Sequence, residues 1–303
     1  MQEKRLEMAG MSFLYRENGG RATILGIEGS APHLKVPGAI DGCPVTAIEK
    51  KAFFDCRNLR TVVLPDSLEE LGSWAFAHCM RLERVELPWK ALRMGKDPFI
   101  GSQKLERIDL RKEGAERADC PVAPLLASAA VRMEDPHLFS IEEAGNAEWL
   151  KRWDARMLVI LREPDANGFE KNVLTGEEDY ASTDLERFVH EKRRAKVRLA
   201  FLRLLCPEGL QDGVRRELET YLQAHTRGCP SQETWQVLLE EYGDRKDYYE
   251  KFARLGCLTI ENFDGILQDM KGRYPEMKAY FMRYKEENLG GSDFFASLSL
   301  DLI

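Results

Sequence analysis

Seven cysteines (Cys43, Cys56, Cys79, Cys120, Cys206, Cys229, Cys257) and five histidines (His33, His78, His137, His190, His225) are the side chains best suited to nucleophilic or metal chemistry. Their spacing assembles neither. No C-x-x-C or H-E-x-x-H occurs, and His225 with Cys229 offers two ligands on one helical turn where zinc needs more. G-x-x-x-x-G-K-[ST], G-x-G-x-x-G and G-x-S-x-G are also absent, so no phosphate cradle or nucleophile elbow is expected. Asp165, Asn167 and Gly168 suggest a calcium loop. Counted from Asp165, however, the glycine falls fourth instead of sixth, and Gly176 stands twelfth where a closing Glu is required. The acidic cluster Glu177-Glu178-Asp179 reads as a solvated loop. No catalytic residue, metal site or cofactor is expected.

The elements that position these residues begin with a repeat. Phe53, Phe76 and Phe99 are spaced by 23 and 23, as are Leu59, Leu82 and Leu105; Val62, Val85 and Ile108; Leu64, Leu87 and Leu110; and Ile48, Leu71 and Met94. One such coil cannot bury its apolar face alone, but stacked coils align like residues into a continuous core. Cys56, Cys79 and Ser102 share one column and fit a tight inward turn. A Cys56–Cys79 disulfide or metal pair is the functional alternative there. His78 should then point outward while Cys79 points inward, which separates the two as a nucleophile–base pair.

The segment Ala52 to Phe76, AFxxCxxLxxVxLPxxLxxLGxxAF, resembles the BspA-like (Treponema-type) leucine-rich repeats of bacterial proteins. Leu34-Lys35-Val36-Pro37 and Ile40-Asp41-Gly42-Cys43-Pro44-Val45 fit the same pattern as an earlier, longer unit. The resemblance covers about residues 12–110 and implies a curved solenoid with a binding role and no catalysis. Phe13 to Ile27, split by Asn18-Gly19-Gly20, reads as a β-hairpin capping the solenoid. The third unit departs from the pattern, with Pro98 for Ala, Ser102 for Cys and Arg111 for the closing Pro, as a terminal repeat would.

The rest reads as helical. Pro121, Pro124 and Pro136 mark a connector with a short helix near Leu125–Arg132. Ser140 and Glu143 form a capping-box signature ahead of Trp149, Trp153, Met157 and Ile160 at helical spacing. Amphipathic segments follow from Asp184, Gly213, Gln232, Asp244 and Thr259, with Pro275 opening the last. The stretch from Glu261 to Asn288 resembles an ankyrin-like helix pair, without the ankyrin Thr-Pro-Leu-His turn. The fold class expected is α+β multidomain: a leucine-rich-repeat solenoid, with a hairpin cap and three to four coils of 23 residues, then an all-α helical-hairpin domain. Its boundaries are a disordered stretch at 1–11, the solenoid at 12–112, a connector at 113–140, helices at 141–290 with an irregular loop at 164–183, and a tail at 291–303.

Composition narrows the function. The chain has 303 residues, 44% hydrophobic and 31% charged, an ordinary globular balance that excludes collagen-like or wholly disordered chains. Net charge is −7. The basic run Lys192, Arg193, Arg194, Lys196, Arg198 and Arg203 lies in a region, 111–303, with 28 basic and 36 acidic residues, so it reads as a solvated helix face and not as a nucleic-acid site. No apolar stretch suggests an export signal or a membrane span. Scattered cysteines of odd number fit a cytoplasmic protein with reduced thiols.

The best candidate surface is the solenoid's strand face, where side chains alternating with the buried Val and Leu project outward in two columns: Thr61, Arg84, Arg107 and Val63, Glu86, Asp109. Mixed charge with arginines suits a protein or peptide partner better than lipid, sugar or nucleic acid. The leading expectation is a non-catalytic interaction module. The alternatives are a cell-surface adhesin-like fragment lacking its export signal, and an enzyme or regulatory subunit with a site at the solenoid–helix junction.

Overall fold

The computed structural model describes residues 3–8, 10–112, 114–115, 120–133, 135, 137–170 and 184–290. The chain divides into two compact units, Met1–Met157 and Leu158–Ile303. That division falls after the expected connector at 113–140, because the connector's helix belongs to the core of the first unit.

The first unit opens with β1 (Glu3–Met8), paired antiparallel with β2 (Met11–Asn18). This corrects, over Glu3–Met8, the disorder expected at 1–11. The strand is mostly exposed and has no apolar face to announce it; ladder bonds and the ion pairs Lys4–Glu17 (2.6 Å) and Arg5–Glu28 (2.9 Å) hold it. β2 turns into β3 (Arg21–Glu28) as the expected hairpin, with Gly19 and Gly20 at φ 56° and 73°, the left-handed pair that a two-residue turn requires.

The solenoid follows with β4 (His33–Lys35), β5 (Ala39–Ile40), β6 (Cys43–Ile48), β7 (Thr61–Val63), β8 (Glu70–Leu71), β9 (Arg84–Pro88), β10 (Arg93–Met94) and β11 (Arg107–Arg111). β4, β7, β9 and β11 form one parallel sheet of about four turns; β3, β6, β8 and β10 form a second parallel ladder. Backbone bonds recur at the repeat step: Phe53 N to Ala75 O (2.8 Å) becomes Phe76 N to Pro98 O (2.8 Å), and Asp55 N to Ala77 O (2.9 Å) becomes His78 N to Ile100 O (2.8 Å). Each coil satisfies the polar backbone of the next, so the turns carry no orphan donors there. Phe53 stacks on Phe76 (4.7 Å between centroids), Phe76 on Phe99 (5.7 Å), and Phe139 closes the stack edge-on at 5.8 Å.

Each turn contains two left-handed residues four apart: Lys51 and Asp55, Trp74 and His78, Asp97 and Gly101. Gly72 and Gly95 stand where the backbone of the preceding coil passes closest. A Cβ at Gly95 would lie 2.2 Å from Ser73 N, which no side chain tolerates.

α1 (Ala123–Val131) buries Leu125 and Leu126 and packs on β11. α2 (Ala147–Arg162) starts later than the Ser140–Glu143 signature indicates. Residues 141–146 are turns, and Asn146 caps the helix by accepting from Trp149 N at 2.8 Å. Trp149 and Trp153 are fully buried and donate their indole N–H groups to Leu138 O (2.8 Å) and Leu125 O (3.1 Å).

The second unit contains α3 (Leu185–Leu205), α4 (Asp212–Ala224), α5 (Glu233–Glu241), α6 (Lys246–Arg254), α7 (Ile260–Met270) and α8 (Pro275–Asn288). Thr259 and Asn262 form a full capping box on α7, and Pro275 is in the first turn of α8. Trp235, Phe252 and Phe281 form an aromatic core, with centroids 5.7 to 6.4 Å apart. The tail at 291–303 and residues 171–183 of the irregular loop, including Glu177-Glu178-Asp179, lie outside the described residues.

Candidate functional site

The strands β4, β7, β9 and β11 hold their partners in strict register. His33, Thr61, Arg84 and Arg107 align in one row, and Lys35, Val63, Glu86 and Asp109 in the next. Leu34, Val62, Val85 and Ile108 between them are buried, as alternation along a half-buried strand requires. Both predicted columns are therefore brought together on one sheet, each with a fourth member that the 23-residue step misses. His33 and Lys35 precede Thr61 and Val63 by 28 residues, so only the strand signature Leu34-Lys35-Val36-Pro37 points to them.

Burial divides the charges unevenly. Arg84 and Arg107 are 47% and 45% exposed at their side chains, whereas Asp109 is 2% exposed. Asp109 alternates with the buried Ile108 and Leu110 as expected, but its carboxylate is covered, which corrects the solvent exposure expected of it. Arg84 Nε from the adjoining strand lies 2.6 Å from one carboxylate oxygen, and Arg107 donates from Nη2 to the other at 2.8 Å. Covered by two guanidinium groups, the carboxylate is withdrawn from solvent. Cys120, on the return toward α1, is raised above its ordinary value chiefly by burial, with the nearby Asp109 charge adding to the effect.

Glu86 is half-buried and accepts from Arg111, which also donates to Asp66 (2.9 Å) and to Leu64 O (2.7 Å). Arg111 replaces the closing proline of the repeat and thereby ties the end of the last strand across two coils. Thr61 is half-buried with its hydroxyl 2.8 Å from His33 Nδ1; Val63 is half-buried; Lys35 and His33 are exposed. The face thus leaves Arg84 and Arg107 half exposed, with Asp109 and Glu86 largely covered by their arginine partners.

The inward column behaves as a structural ladder. Cys79 Sγ donates to Phe53 O at 3.1 Å, and Ser102 Oγ repeats that bond one coil later, to Phe76 O at 2.8 Å, while accepting from Cys79 N at 3.1 Å. Ser102 therefore keeps the donor that the missing thiol would supply. Cys56 and Cys79 are free thiols. Hydrogen bonding with Cys56 and burial push Cys79 up, and the same bond holds Cys56 down. His78 is exposed and rests on Phe54 at 5.4 Å, while Cys79 is buried.

In the helical unit the basic run is not a solvated face. Arg194, Lys196 and Arg203 are buried. Lys196 Nζ reaches Asp165 at 2.6 Å, Arg193 meets the same carboxylate at 2.7 Å, Arg198 meets Glu241 at 2.6 Å, and Arg194 joins Glu240 (2.8 Å) and Glu241. Asp165, considered above as a calcium ligand, is engaged by these two cations. Sequence proximity could not reveal this, since the acids lie 28 to 47 residues from their bases. Among the described residues, no three His, Cys, Asp or Glu side chains converge as a metal site, and no helix is long and apolar enough to cross a membrane.

Comparison with known proteins agrees with this geometry over the solenoid. Residues 42–116 match the family described as BspA type leucine rich repeat region (6 copies). None of the curated proteins matches the chain. Among solved structures it is similar to a leucine rich cell surface protein from Faecalibacterium prausnitzii A2-165, at 21% identity over 37% of this chain and 31% of that one, with a TM-score of 0.31. It is likewise similar to a leucine-rich repeat protein from Bacteroides capillosus ATCC 29799, at 24% identity over 40% of this chain and 91% of that one, with a TM-score of 0.32. The Treponema pallidum leucine rich repeat protein matches at 24% identity over 35% of this chain and 64% of that one, with a TM-score of 0.27. The chain spans about a third of the length of the Faecalibacterium protein. Residues 42–116 are a BspA-type leucine-rich repeat region.

Proposed function

We propose that this chain is a non-catalytic interaction module whose solenoid strand face holds a segment of another protein. The observation that carries the reading is the pair Arg84 and Arg107, half exposed on adjoining strands and both anchored on the buried Asp109. Arginines held in place by a carboxylate beneath them lose less side-chain freedom on binding than free ones. Leucine-rich repeat proteins commonly serve such interactions, and the Arg111 network stiffens the end of the same sheet.

The test places a photo-crosslinking phenylalanine at Val63, which is half-buried on the face and takes no part in the ion pairs, and irradiates the protein in lysate of its source. A crosslinked protein that is lost when the label is moved to Val159, exposed on α2, supports the reading. Equal labelling from both positions, or none from Val63, overturns it.

We place the protein in the cytoplasm on its thiols. Cys56 and Cys79 lie on neighbouring coils as reduced thiols.

A further inference from the structure

Cys56 and Cys79 hold the same position on neighbouring coils. Backbone bonds on the approach to them, Phe53 N to Ala75 O (2.8 Å) and Asp55 N to Ala77 O (2.9 Å), lock the two coils in register. Coils paired in this way are about 4.8 Å apart, inside the range of about 4.4 to 6.8 Å between Cα atoms that a disulfide joins. The stacked rings of Phe53 and Phe76, three residues upstream, repeat that spacing at 4.7 Å. The two thiols already hydrogen-bond each other. Both side chains therefore leave their coils on the same side, and less than about 1 Å of approach brings their Cβ atoms to disulfide distance. We propose that Cys56 and Cys79 are a redox-active pair, which a hydroperoxide closes to a disulfide and a small thiol reopens.

The two sulfurs suit different halves of this chemistry. Cys56 is half-buried and Cys79 is buried, so a peroxide in solution reaches Cys56 first. The bond from Cys79 holds the Cys56 thiol below its ordinary value, which enriches the reactive thiolate. That thiolate attacks one peroxide oxygen and the O–O bond breaks. The electron pair leaves on the other oxygen, which takes up the proton that Cys56 released and departs as alcohol or water. Cys56 is then a sulfenic acid. The Cys79 sulfur attacks the Cys56 sulfur: the S–S bond forms, the S–O bond breaks, and hydroxide leaves as water with the Cys79 proton. Two thiols and one hydroperoxide thus give a disulfide, an alcohol or water, and a further water. Hydrogen bonding with Cys56 and burial keep Cys79 protonated until that step, so it resolves the sulfenic acid without competing for the peroxide. Closing the bond takes from Phe53 O the S–H that Cys79 donates at 3.1 Å. Reduction restores that donor, which favours the open pair wherever thiols are in excess.

The test treats the reduced full chain with limiting hydrogen peroxide, blocks the remaining thiols and maps peptides without reduction. Arg57, Arg60 and Arg81 give trypsin separate peptides for Cys56 and Cys79, so the disulfide appears as their summed mass less two hydrogens. This cross-link is expected before any oxidation of Cys43 or Cys229, which are half-buried like Cys56. Glutathione added afterwards should restore both thiols. In Cys79→Ser the cross-link is lost and Cys56 stops at the sulfenic acid, captured by a 1,3-dione probe. Serine fits that position, as Ser102 does one coil on. In Cys56→Ser, Cys79 should oxidise severalfold more slowly than in wild type. The absence of a cross-link in wild type, a disulfide to another cysteine in its place, or oxidation of Cys43 and Cys229 as fast as Cys56 overturns the proposal. Sulfinic acid on Cys56 in place of the disulfide also overturns it, because Cys79 then fails to resolve the first product.

Discussion

Asp109 shows how one residue organises a surface that its neighbours present. A buried carboxylate with two guanidinium partners is stable only while paired, because an ion left alone in the interior pays its desolvation without return. Replacing both arginines (Arg84→Ala with Arg107→Ala), which strands that carboxylate, should therefore cost about 3 kcal/mol of the first unit's stability. Arg84→Ala should cost about 1 kcal/mol or less, since its guanidinium is half solvated and Arg107 stays in place. Chemical denaturation of the two variants gives the comparison, and equal losses would show that Asp109 is not the anchor. The paired thiols give a second residue-scale prediction. Cys56 is the more exposed and is held below its ordinary value by hydrogen bonding with Cys79, whereas that bond and burial hold Cys79 above. Because the thiolate is the reactive species, timed alkylation near neutral pH should modify Cys56 well before Cys79. Mass mapping of the two peptides would show the reverse order if Cys79 were the reactive thiol.

At the scale of elements, the coils and the long helix α3 are held by different forces. The coils depend on backbone contact, and Gly95 sits where the previous coil's Ser73 N leaves no room for a Cβ. Gly95→Ala should destabilise the solenoid by about 2 kcal/mol, read as a lowered melting temperature, while Gly213→Ala, with open space around it, should not. Helix α3 adds ion pairs to a buried apolar face that includes Val197, Phe201 and Leu204. Burial alone would raise Glu241, but the guanidinium groups of Arg198 and Arg194 outweigh it and hold the carboxyl below its ordinary value. A carboxyl depressed in the folded state adds stability that is fully present above its unfolded value, about pH 4.3, and lost as pH falls through the folded one. Wild type should thus lose stability steeply below that pH. Glu241→Gln, already lacking the pair, should start lower and show a flatter decline in denaturation curves taken from pH 6 to 3. Parallel curves would remove Glu241 from the acid response.

Across the whole molecule the net charge is −7 and seven cysteines are scattered along the chain, while the basic run of α3 is committed to acids brought from elsewhere in the sequence. Protein purified without reductant and then denatured should yield seven titratable thiols, since all seven cysteines are in the reduced form. A count of five would point to a disulfide, with Cys56 and Cys79 the first pair to map.

The 23-residue period alone determined the solenoid, because stacking requires like residues at like positions and five apolar columns admit one register. The same period aligns Thr61 with Arg84 and Arg107, and the Gly-Gly turn, the Thr259 cap and Pro275 mark their elements by local backbone chemistry alone. Tertiary structure decided what each position experiences. It put Asp109 under two arginines, drew Arg194 and Lys196 inside, moved the start of α2 to Asn146, and made a strand of Glu3–Met8 that carries no apolar stripe. Those outcomes depend on groups brought together from distant parts of the chain. Periodicity records which face a residue occupies, whereas its burial and ion pairing are set by what packs against that face.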